Sequence, residues 1–456
     1  MRYIWTKIYL NLDRALALLC FLLVVQISCF FLFTTHPYLK ISFSTQTARP
    51  KSFVKVDGTR FTKDNKTYYV VGANYWQAMN LGMESGNRSR VLKDLETLKK
   101  NGFNCLRIMA ASEGPPGEPY RMYPALMNAP GEYDENVFQG LDWFLDQLKN
   151  YDMTAIMVMS NFWHWSGGFA QYVHWADDSR SIPYPETNGG AFDSYSNRFI
   201  TDNNIRDTCQ KYYLNHVKTV INRKNSVNGI VYKNDTTILA WELANEPQAA
   251  YVQNAHEIVF QWFDGTAKFI KSQDENHLVT TGTEGKHGKD WFITMHKSDY
   301  IDFTCVHIWV DLWGHYRSND PSPENYQRAA NFARGFLQDT SDWSINILKK
   351  PILLEEYGMS RDGWTDSKYD PKATVSNRNK YFTEIADKIL ELERKNASSG
   401  LMFWAFAGNA RPDDEKPTWV GDPPHEVPGW FSVYDSDIET LRVFLDHSKQ
   451  INNEEE

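Results

Sequence analysis

The stretch TTILAWELANEP, residues 236–247, indicates both the fold and the functional site of this 456-residue chain. Its apolar part shows no strict polar alternation, which is typical of a parallel strand covered on both faces. Two carboxylates, Glu242 and Glu246, follow directly within this stretch. Burying a carboxylate without a partner is costly, so these side chains predict a polar site at the end of the strand.

Seven further apolar runs lie on either side of this one, separated by segments with helical spacing. The eight runs are YYVVGANY (68–75), NCLRIMA (104–110), TAIMVMSNF (154–162), TTILAWELANEP (236–247), HLVTTGTEG (277–285), IDFTCVHIWV (301–310), PILLEEYG (351–358) and GLMFWAFAG (400–408). Helical spacing is clearest over 137–148, 209–221, 385–392 and 438–445. This alternation predicts an α/β fold, a single (β/α)8 TIM barrel with long loops over residues 52–450. A doubly wound open sheet is the alternative, but the glycine-rich phosphate loop it would need does not occur after an early strand.

The composition narrows the function classes. Hydrophobic residues make up 42% of the chain and charged residues 23%, as in a globular protein. A net charge of -9, without any Lys/Arg run, argues against nucleic acid as a partner. The 16 Trp, 24 Tyr and 26 Phe residues suit a cleft that stacks on the faces of sugars or other flat apolar ligands.

The first 51 residues differ from the rest. Residues 15–33, ALALLCFLLVVQISCFFLF, are nearly all apolar and long enough to cross a bilayer. Arg2, Lys7 and Arg14 precede them, which predicts a cytoplasmic N-terminus. We therefore expect a cytoplasmic segment (1–14), an uncleaved transmembrane signal anchor (15–33) and a linker (34–51), with a cleaved signal peptide as the alternative. In either case the remainder enters the secretory pathway, as a single-pass type II membrane protein or as a secreted, extracellular one.

Sequons and cysteines agree with that location. N-x-Ser/Thr sequons, which fit a lumenal or extracellular glycoprotein, occur at Asn65, Asn87, Asn234 and Asn396. Outside the apolar segment the cysteines are Cys105, Cys209 and Cys305, too few for a disulfide framework, so buried free thiols are expected. We expect a monomer that is stabilised by its core.

Polar and aromatic side chains gather where the predicted strands end, which is where a barrel carries its chemistry. They are Asn74, Trp76, Arg107, Asn161, Trp163, Asn245, Glu246, Glu284, His307, Trp309, Glu356 and Trp404. Strands four and seven lie on roughly opposite sides of a barrel, so Glu246 and Glu356 are expected to face each other. Opposed carboxyls, one protonated and one ionised, are the machinery of glycoside hydrolysis, and Arg107 is the candidate that keeps one ionised. No Cys/His cluster at metal spacing stands out, so no metal or organic cofactor is expected.

Longer stretches resemble glycoside hydrolase family 5, and most of all its endo-β-1,4-mannanases. They are GANYW (72–76), GFNCLRI (102–108), SNFWHWSGGFAQYVHW (160–175), HVKTVINRKN (216–225), AWELANEP (240–247), VHIW (306–309), LLEEYG (353–358), FWAFAG (403–408) and GDPPHEVPGWFSVYDSD (421–437). Together they cover residues 52–440 in the family's order. Asn-Glu-Pro is a modest signal by itself, whereas SGGFAQYV and HVKTVINR are more specific to the mannanases.

The resemblance implies roles for the residues at the strand ends. It makes Glu246 the acid/base and Glu356 the nucleophile of a retaining double displacement, with carboxyl groups about 5–5.5 Å apart. It implies that Asn245 binds the 2-hydroxyl of the reacting sugar and that Arg107 holds the nucleophile ionised. The remaining substrate-binding candidates are His307 beside the site, Trp404 as the platform under the sugar, and Trp76, Trp163, Trp309 and Asn161 around the cleft.

Two positions depart from the family pattern. Many relatives have Tyr two residues after the histidine, where this chain has Trp309, which can donate only through its indole N–H. Many mannanases follow Asn-Glu-Pro with Arg, where this chain has Gln248. Because Gln248 is uncharged, it cannot make the charged contact on the leaving-group side that the resemblance implies for the arginine.

Three other glutamates leave alternatives open. Glu242 is an alternative acid, because its spacing from Asn245 does not exclude it. Glu355 should point away from Glu356, since successive strand side chains alternate, and is expected to pair with a basic group. Glu284 is either an outer partner of the site or structural.

The expected activity is hydrolysis of internal β-1,4-mannosidic linkages in mannan, glucomannan or galactomannan, with β-mannan polysaccharide as the partner. One alternative is a relative with another substrate or mode, either a β-glucanase or an exo-β-mannosidase. The other is a membrane-anchored carbohydrate-binding relative without catalysis, against which the presence of both carboxylates counts.

Overall fold

The computed structural model describes residues 52–118, 120–184, 186, 190–249, 252–364, 369–370, 372–412 and 419–453. The predicted cytoplasmic segment (1–14), anchor (15–33) and linker (34–51) lie outside these residues. Within the described part of the chain, no helix combines the length and the apolar character needed to cross a membrane.

Eight parallel strands form the barrel, and each lies inside one of the predicted runs. They are β1 (Val70–Asn74), β2 (Cys105–Met109), β3 (Thr154–Val158), β4 (Ile238–Glu242), β5 (Leu278–Thr280), β6 (Thr304–Ile308), β7 (Ile352–Tyr357) and β8 (Gly400–Phe403). Their order around the sheet is β5-β4-β3-β2-β1-β8-β7-β6. Backbone hydrogen bonds from Asp302 N to Val279 O (2.9 Å) and from His307 N to Glu284 O (3.2 Å) link the two edges. The barrel is therefore nearly closed, and the predicted (β/α)8 architecture is confirmed.

A helix follows each strand on the outside. These helices are α1 (Arg88–Lys100), α2 (Glu135–Asn150), α3 (Arg206–Ile221), α4 (His256–Gln273), α5 (Lys289–His296), α6 (Pro323–Asp342), α7 (Ser376–Glu393) and α8 (Ile438–Asn453). The apolar faces predicted for α2, α3 and α7 are buried. In α8 the first residue, Ile438, is 64% exposed, so its buried face begins one turn later at Leu441.

Polar side chains mark several helix starts. The Asp134 carboxylate accepts a hydrogen bond from Asn136 N (2.9 Å) at the start of α2. Ser322 caps α6 through Asn325 N (3.3 Å), and Pro323 follows it at the first helical position, where its missing N–H is not needed. These caps satisfy backbone groups that the helices leave without a partner.

A small antiparallel sheet lies at the N-terminal end of the barrel. Its strands are Lys55–Asp57, Arg60–Lys63 and Lys66–Thr67. Phe61 is fully buried in this sheet and packs edge to face against Phe303, with ring centroids 5.0 Å apart. Because this end is covered, the C-terminal ends of the strands form the mouth.

The three cysteines that the structure describes are buried free thiols, as predicted: Cys105, Cys209 and Cys305. Cys105 lies in β2 and Cys305 in β6, while Cys209 lies on the inner face of α3. The fold of the described region therefore depends on apolar packing.

Candidate active site

Arg107 is the central cation of the barrel mouth. It lies in β2, is 2% exposed, and donates to side chains that lie on β1, on or just after β4, and on β7. Its Nε and Nη2 bind both oxygens of Glu242 at 2.7 and 2.6 Å, and its Nη1 donates to Glu356 Oε1. The remaining contacts go to Asn74 Oδ1 (2.9 Å) and Asn245 Oδ1 (2.8 Å). One buried guanidinium therefore forms ion pairs with two carboxylates and orients two amides.

Backbone hydrogen bonds connect the segment after β4 to the segments that follow β3 and β5. Asn245 N donates to Ser160 O (2.9 Å) beyond β3, and Glu246 N donates to Gly282 O (2.8 Å) beyond β5. Glu246 has φ +50°, in the left-handed region that residues with a side chain seldom adopt. Such conformations persist when the surroundings impose them, and they concentrate at functional sites.

Glu246 and Glu356 meet across the mouth. One carboxylate oxygen of each residue and one ring nitrogen of His307 lie within 4.8 Å of one another. His307 Nδ1 lies 2.8 Å from Glu246 Oε1 and 3.4 Å from Glu356 Oε2. Trp163 Nε1 donates to the other oxygen of Glu246 at 2.5 Å. This separation suits a single glycosidic bond with one carboxyl on each side.

The same three side chains are the ones that could hold a metal ion by their spacing, within the described residues. Each already has a hydrogen-bonding role: Arg107 contacts Glu356, and His307 contacts Glu246. The guanidinium of Arg107 already lies beside these carboxylates. The negative charge of the site is therefore stabilised by Arg107 rather than by a bound metal cation.

Comparison with known proteins places this arrangement in a family. Residues 51–456 match the family described as GH family 5 beta-mannosidase-like. The chain belongs to glycoside hydrolase family 5. As a family 5 hydrolase it is an enzyme, as the sequence resemblance predicted.

Curated relatives and solved structures resemble this family 5 hydrolase over most of its length. Mannan endo-1,4-beta-mannosidase 5 from Arabidopsis thaliana is 32% identical over 371 residues, covering 77% of this chain and 78% of the relative. The crystal structure of a glycoside hydrolase family 5 mannosidase from Rhizomucor miehei has a TM-score of 0.83 and 39% identity, covering 89% of this chain and 98% of that one. An endo-1,4-beta-mannanase from Rhizomucor miehei, at 20% identity and a TM-score of 0.64, shares the fold.

The predicted amides lie beside the carboxyl pair. Asn245 is almost fully buried, and its Nδ2 donates to Asn161 Oδ1 at 3.0 Å. Asn161 is fully buried and bonded within the protein: Oδ1 also accepts from Trp163 N (3.0 Å), and Nδ2 donates to Ser166 Oγ (3.0 Å). Asn161 therefore orients Asn245 and Trp163 in this family 5 enzyme.

The predicted indoles surround the same gap. Trp404 is 5% exposed and packs at right angles to Trp309, with centroids 6.1 Å apart. Trp76 donates from Nε1 to Gly421 O (2.6 Å) and packs against Trp165 at 5.5 Å. Trp163 is more exposed and reaches Glu246 directly. Trp163 thus contacts the carboxyl pair directly, whereas Trp404, Trp76 and Trp309 pack against other aromatic rings of the mouth.

The two departures from the family pattern have local consequences. Trp309 packs on Phe431 at 4.9 Å, while Arg107 donates to Glu356 and His307 Nδ1 lies 3.4 Å from it. Gln248 Oε1 lies 3.1 Å from His287 Nε2, so a neutral pair occupies this position.

The structure also separates the roles of the other glutamates. Glu242 is fully buried with both oxygens bonded to Arg107, so it anchors that cation instead of reaching the gap. Glu355 pairs with a basic group as expected, since its Oε2 lies 3.8 Å from His307 Nε2. Glu284 forms an ion pair with Lys286, whose Nζ lies 2.5 Å from Glu284 Oε2.

The carboxyl pair and His307 share protons. Burial raises the pKa of Glu356 to about 7, although the charges of His307 and Arg107 act to lower it. Burial also acts to raise the pKa of Glu246, but its hydrogen bond and charge interaction with His307 bring that pKa to about 2. Burial acts to lower the pKa of His307, yet the two glutamates raise it to about 10.

This order is the reverse of the predicted one, in which Glu246 holds the proton. The physical reason is that His307 Nδ1 lies closer to Glu246 than to Glu356. Both arrangements leave one proton on the carboxyl pair and one on His307. A single ring nitrogen, His307 Nδ1, lies 2.8 Å from Glu246 and 3.4 Å from Glu356, so His307 influences the ionisation of both carboxyls.

Sequence reasoning did not assign several residues that complete the site. Asn74 Nδ2 donates to the backbone oxygens of Glu355 (2.8 Å) and Phe403 (3.1 Å), which ties β1 to β7 and β8. Its place at the end of a buried strand was the available signal. His425 lies on a long loop, stacks on Trp165 at 6.4 Å, and approaches Glu186 to 3.6 Å. No local pattern predicts that loop contact.

Proposed function

We propose that the protein hydrolyses β-mannosidic bonds with retention of configuration, by double displacement between Glu356 and Glu246. The observation that carries this proposal is the closeness of the two carboxyls, since one oxygen of Glu246 and one of Glu356 lie within 4.8 Å of each other. Inverting enzymes need a wider gap of about 6.5–9.5 Å, to hold a water between carboxyl and sugar. A gap this narrow favours direct attack by a carboxylate.

The steps follow from the contacts around each carboxyl. Ionised Glu356 attacks the anomeric carbon while Glu246 gives its proton to the departing oxygen, and a glycosyl-enzyme ester forms. Glu246 then removes a proton from water, which displaces Glu356 and restores both groups. His307 Nδ1 contacts both carboxyls and supplies the route by which the shared proton reaches Glu246 before the first step.

Mannose is the proposed sugar. Asn245 carries the contact with the 2-hydroxyl, which is axial in mannose, and Arg107 and Asn161 hold this amide in one orientation. Relatives from Arabidopsis thaliana and Solanum lycopersicum, each 32% identical, are named mannan endo-1,4-beta-mannosidases. These names support mannan, glucomannan or galactomannan as the source of the substrate.

The sequence resemblance favours internal cleavage, as do the names of the curated relatives. One feature of the mouth favours release of terminal mannose instead. Trp165, on the loop after β3, contacts Trp404 at 6.3 Å and His425, on the loop after β8, at 6.4 Å. Contacts between these two loops bound the groove on the side of β1 and β2.

Product analysis tests both parts of the proposal. The full-length protein is incubated with galactomannan and with β-1,4-mannotriose, and viscosity, reducing ends and the anomer first released are measured. Retention predicts β-mannose as the first product, and α-mannose would refute the double displacement. A rapid fall in viscosity identifies the internal mode, whereas monomer without a fall identifies the chain-end mode.

A substitution ties the activity to the site. Glu356→Gln should abolish turnover, because an amide cannot form the ester. Glu96→Gln, at an exposed position on α1, is the matched control and should retain parental activity. A parent without activity on any mannoside would favour the carbohydrate-binding alternative.

We also propose that the enzyme matures in the secretory pathway. All four sequon asparagines are exposed: Asn65, Asn87, Asn234 and Asn396. Expression in a eukaryotic host should give a protein whose mass falls on treatment with an N-glycosidase. An unchanged mass would contradict this location.

A further inference from the structure

A concave surface adjoins the acid/base on one side of the mouth. It is lined by residues that follow β4 and β5, among them Pro247, Gln248, Thr283, Glu284 and Lys286. Glu246 directly precedes Pro247, and its proton goes to the departing oxygen in the proposed reaction. The positive charge of Lys286 also acts to lower the pKa of Glu246, so Lys286 lies near the group that protonates the departing oxygen, on the leaving-group side of the site.

Lys286 is held at this surface by a carboxylate. Its Nζ lies 2.5 Å from Glu284 Oε2, with the lysine side chain 22% exposed and the glutamate 6% exposed. The backbone oxygen of Glu284 accepts a hydrogen bond from His307 N (3.2 Å), which fixes the glutamate to the edge of β6. A partly exposed ammonium on a buried, fixed partner is presented to the concave surface with little freedom to leave it.

The other polar groups at this surface are uncharged. Gln248 Oε1 is engaged by His287 Nε2 at 3.1 Å, and burial lowers the pKa of His287 to about 4, with a further contribution from Lys286. Thr283 Oγ1 is buried without a hydrogen-bond partner in the described part of the chain. Of the described residues lining the surface, Lys286 therefore carries the permanent positive charge, and Thr283 offers a hydroxyl that a ligand could satisfy.

We propose that Lys286, positioned by Glu284, is a specificity-determining residue that binds the hydroxyl groups of the leaving sugar. It supplies the cationic contact that Gln248 cannot make at the position after Asn-Glu-Pro. This inference rests on the proposed function, because it takes Glu246 as the acid/base.

The test compares two leaving groups on the full-length enzyme. β-1,4-Mannobiose leaves as a sugar with hydroxyls, whereas 4-nitrophenyl β-mannoside leaves as an aryl alcohol without them. Lys286→Met should lower kcat/KM on mannobiose by about 10- to 100-fold, the range of a hydrogen bond to a charged group. The loss on the aryl mannoside should be much smaller, within about threefold. Lys286→Arg should recover part of the mannobiose activity.

Two further variants separate binding from structure. Lys289→Met removes an exposed lysine at the start of α5 and should match the parent on both substrates. The double change Glu284→Gln with Lys286→Met avoids leaving a buried carboxylate alone, and it should reproduce the selective loss. Thermal unfolding of each variant confirms that it is folded.

The outcomes are distinct. An equal loss on both substrates, or no loss on either, would overturn the role of Lys286 while leaving the proposed function intact. A parent that cleaves neither β-mannoside would overturn the proposed function and this inference together.

Discussion

Replacing Arg107 with Met tests the electrostatics of the site most directly. The change removes the donor to Glu356 and the paired donors, at 2.7 and 2.6 Å, to Glu242. The positive charge of Arg107 acts to lower the pKa of Glu356, which burial has already raised to about 7. Without Arg107 that pKa should rise by a further 1–3 units, roughly the effect of one close opposite charge.

The sign of the effect on activity follows from the role of Glu356. A nucleophile must be ionised, so kcat/KM rises with pH through the pKa of Glu356. At about pH 6 the ionised fraction should fall by about 10- to 1,000-fold, and the deficit should narrow as the pH passes the raised pKa. Removing one partner of a buried ion pair should also lower the free energy of unfolding by about 3–5 kcal/mol.

The assay is the pH profile of kcat/KM on 4-nitrophenyl β-mannoside, together with thermal unfolding. Arg90→Met is the matched control, because Arg90 is also buried and ion-paired, to Asp94 at 3.2 Å, but lies on α1 away from the carboxyl pair. It should destabilise the protein without moving the acid limb of the profile. If the acid limb of Arg107→Met coincides with that of the parent, Arg107 does not control the ionisation of Glu356 and the reasoning fails.

Two further changes test the acid/base and the scaffold. Trp163→Phe removes the donor 2.5 Å from Glu246 Oε2, which favours the ionised form. The pKa of Glu246 should rise from about 2 by as much as about 1 unit, so the protonated fraction of Glu246 and kcat/KM on mannobiose at pH 5–6 should rise by up to about tenfold; an unchanged kcat/KM would contradict this contact. Asp142→Ala removes the buried acceptor of Arg223 (2.6 Å) and of the Tyr232 hydroxyl (2.6 Å). Denaturant unfolding should show a loss of about 3–5 kcal/mol with unchanged kcat, and a loss below about 1 kcal/mol would refute this role.

The strands were predictable because their burial imposes a pattern on the sequence. Each of the eight is mostly apolar, and β1 and β7, for example, are buried at every position. The catalytic candidates were predictable for the opposite reason. Glu246 and Glu356 are carboxylates at the ends of such strands, where only a polar site can accommodate them.

Contacts between distant segments were less predictable. The order of the pKa values of Glu246 and Glu356 depends on which of them lies closer to His307, a difference of tenths of an ångström. Lys286 and Glu284 are two residues apart in the chain, but their proposed role depends on a concave surface that the segments after β4 and β5 form together. The long loops after β3 and β8 are distant in the chain and come into contact because the strands close into a barrel. Hydrophobic periodicity in the sequence therefore could not predict their contact.

Sequence by itself therefore determined the number and order of the strands, the end of the barrel that carries the chemistry, and the two glutamates on which it depends. Burial selects apolar residues position by position, so each strand is visible as an apolar run. The order of the strands along the chain is the order of these runs. Only the tertiary structure decided that Glu242 anchors Arg107, that Glu284 holds Lys286, and that Trp165 meets Trp404. These are through-space interactions whose strength varies steeply with distance and burial, and linear spacing does not encode either quantity.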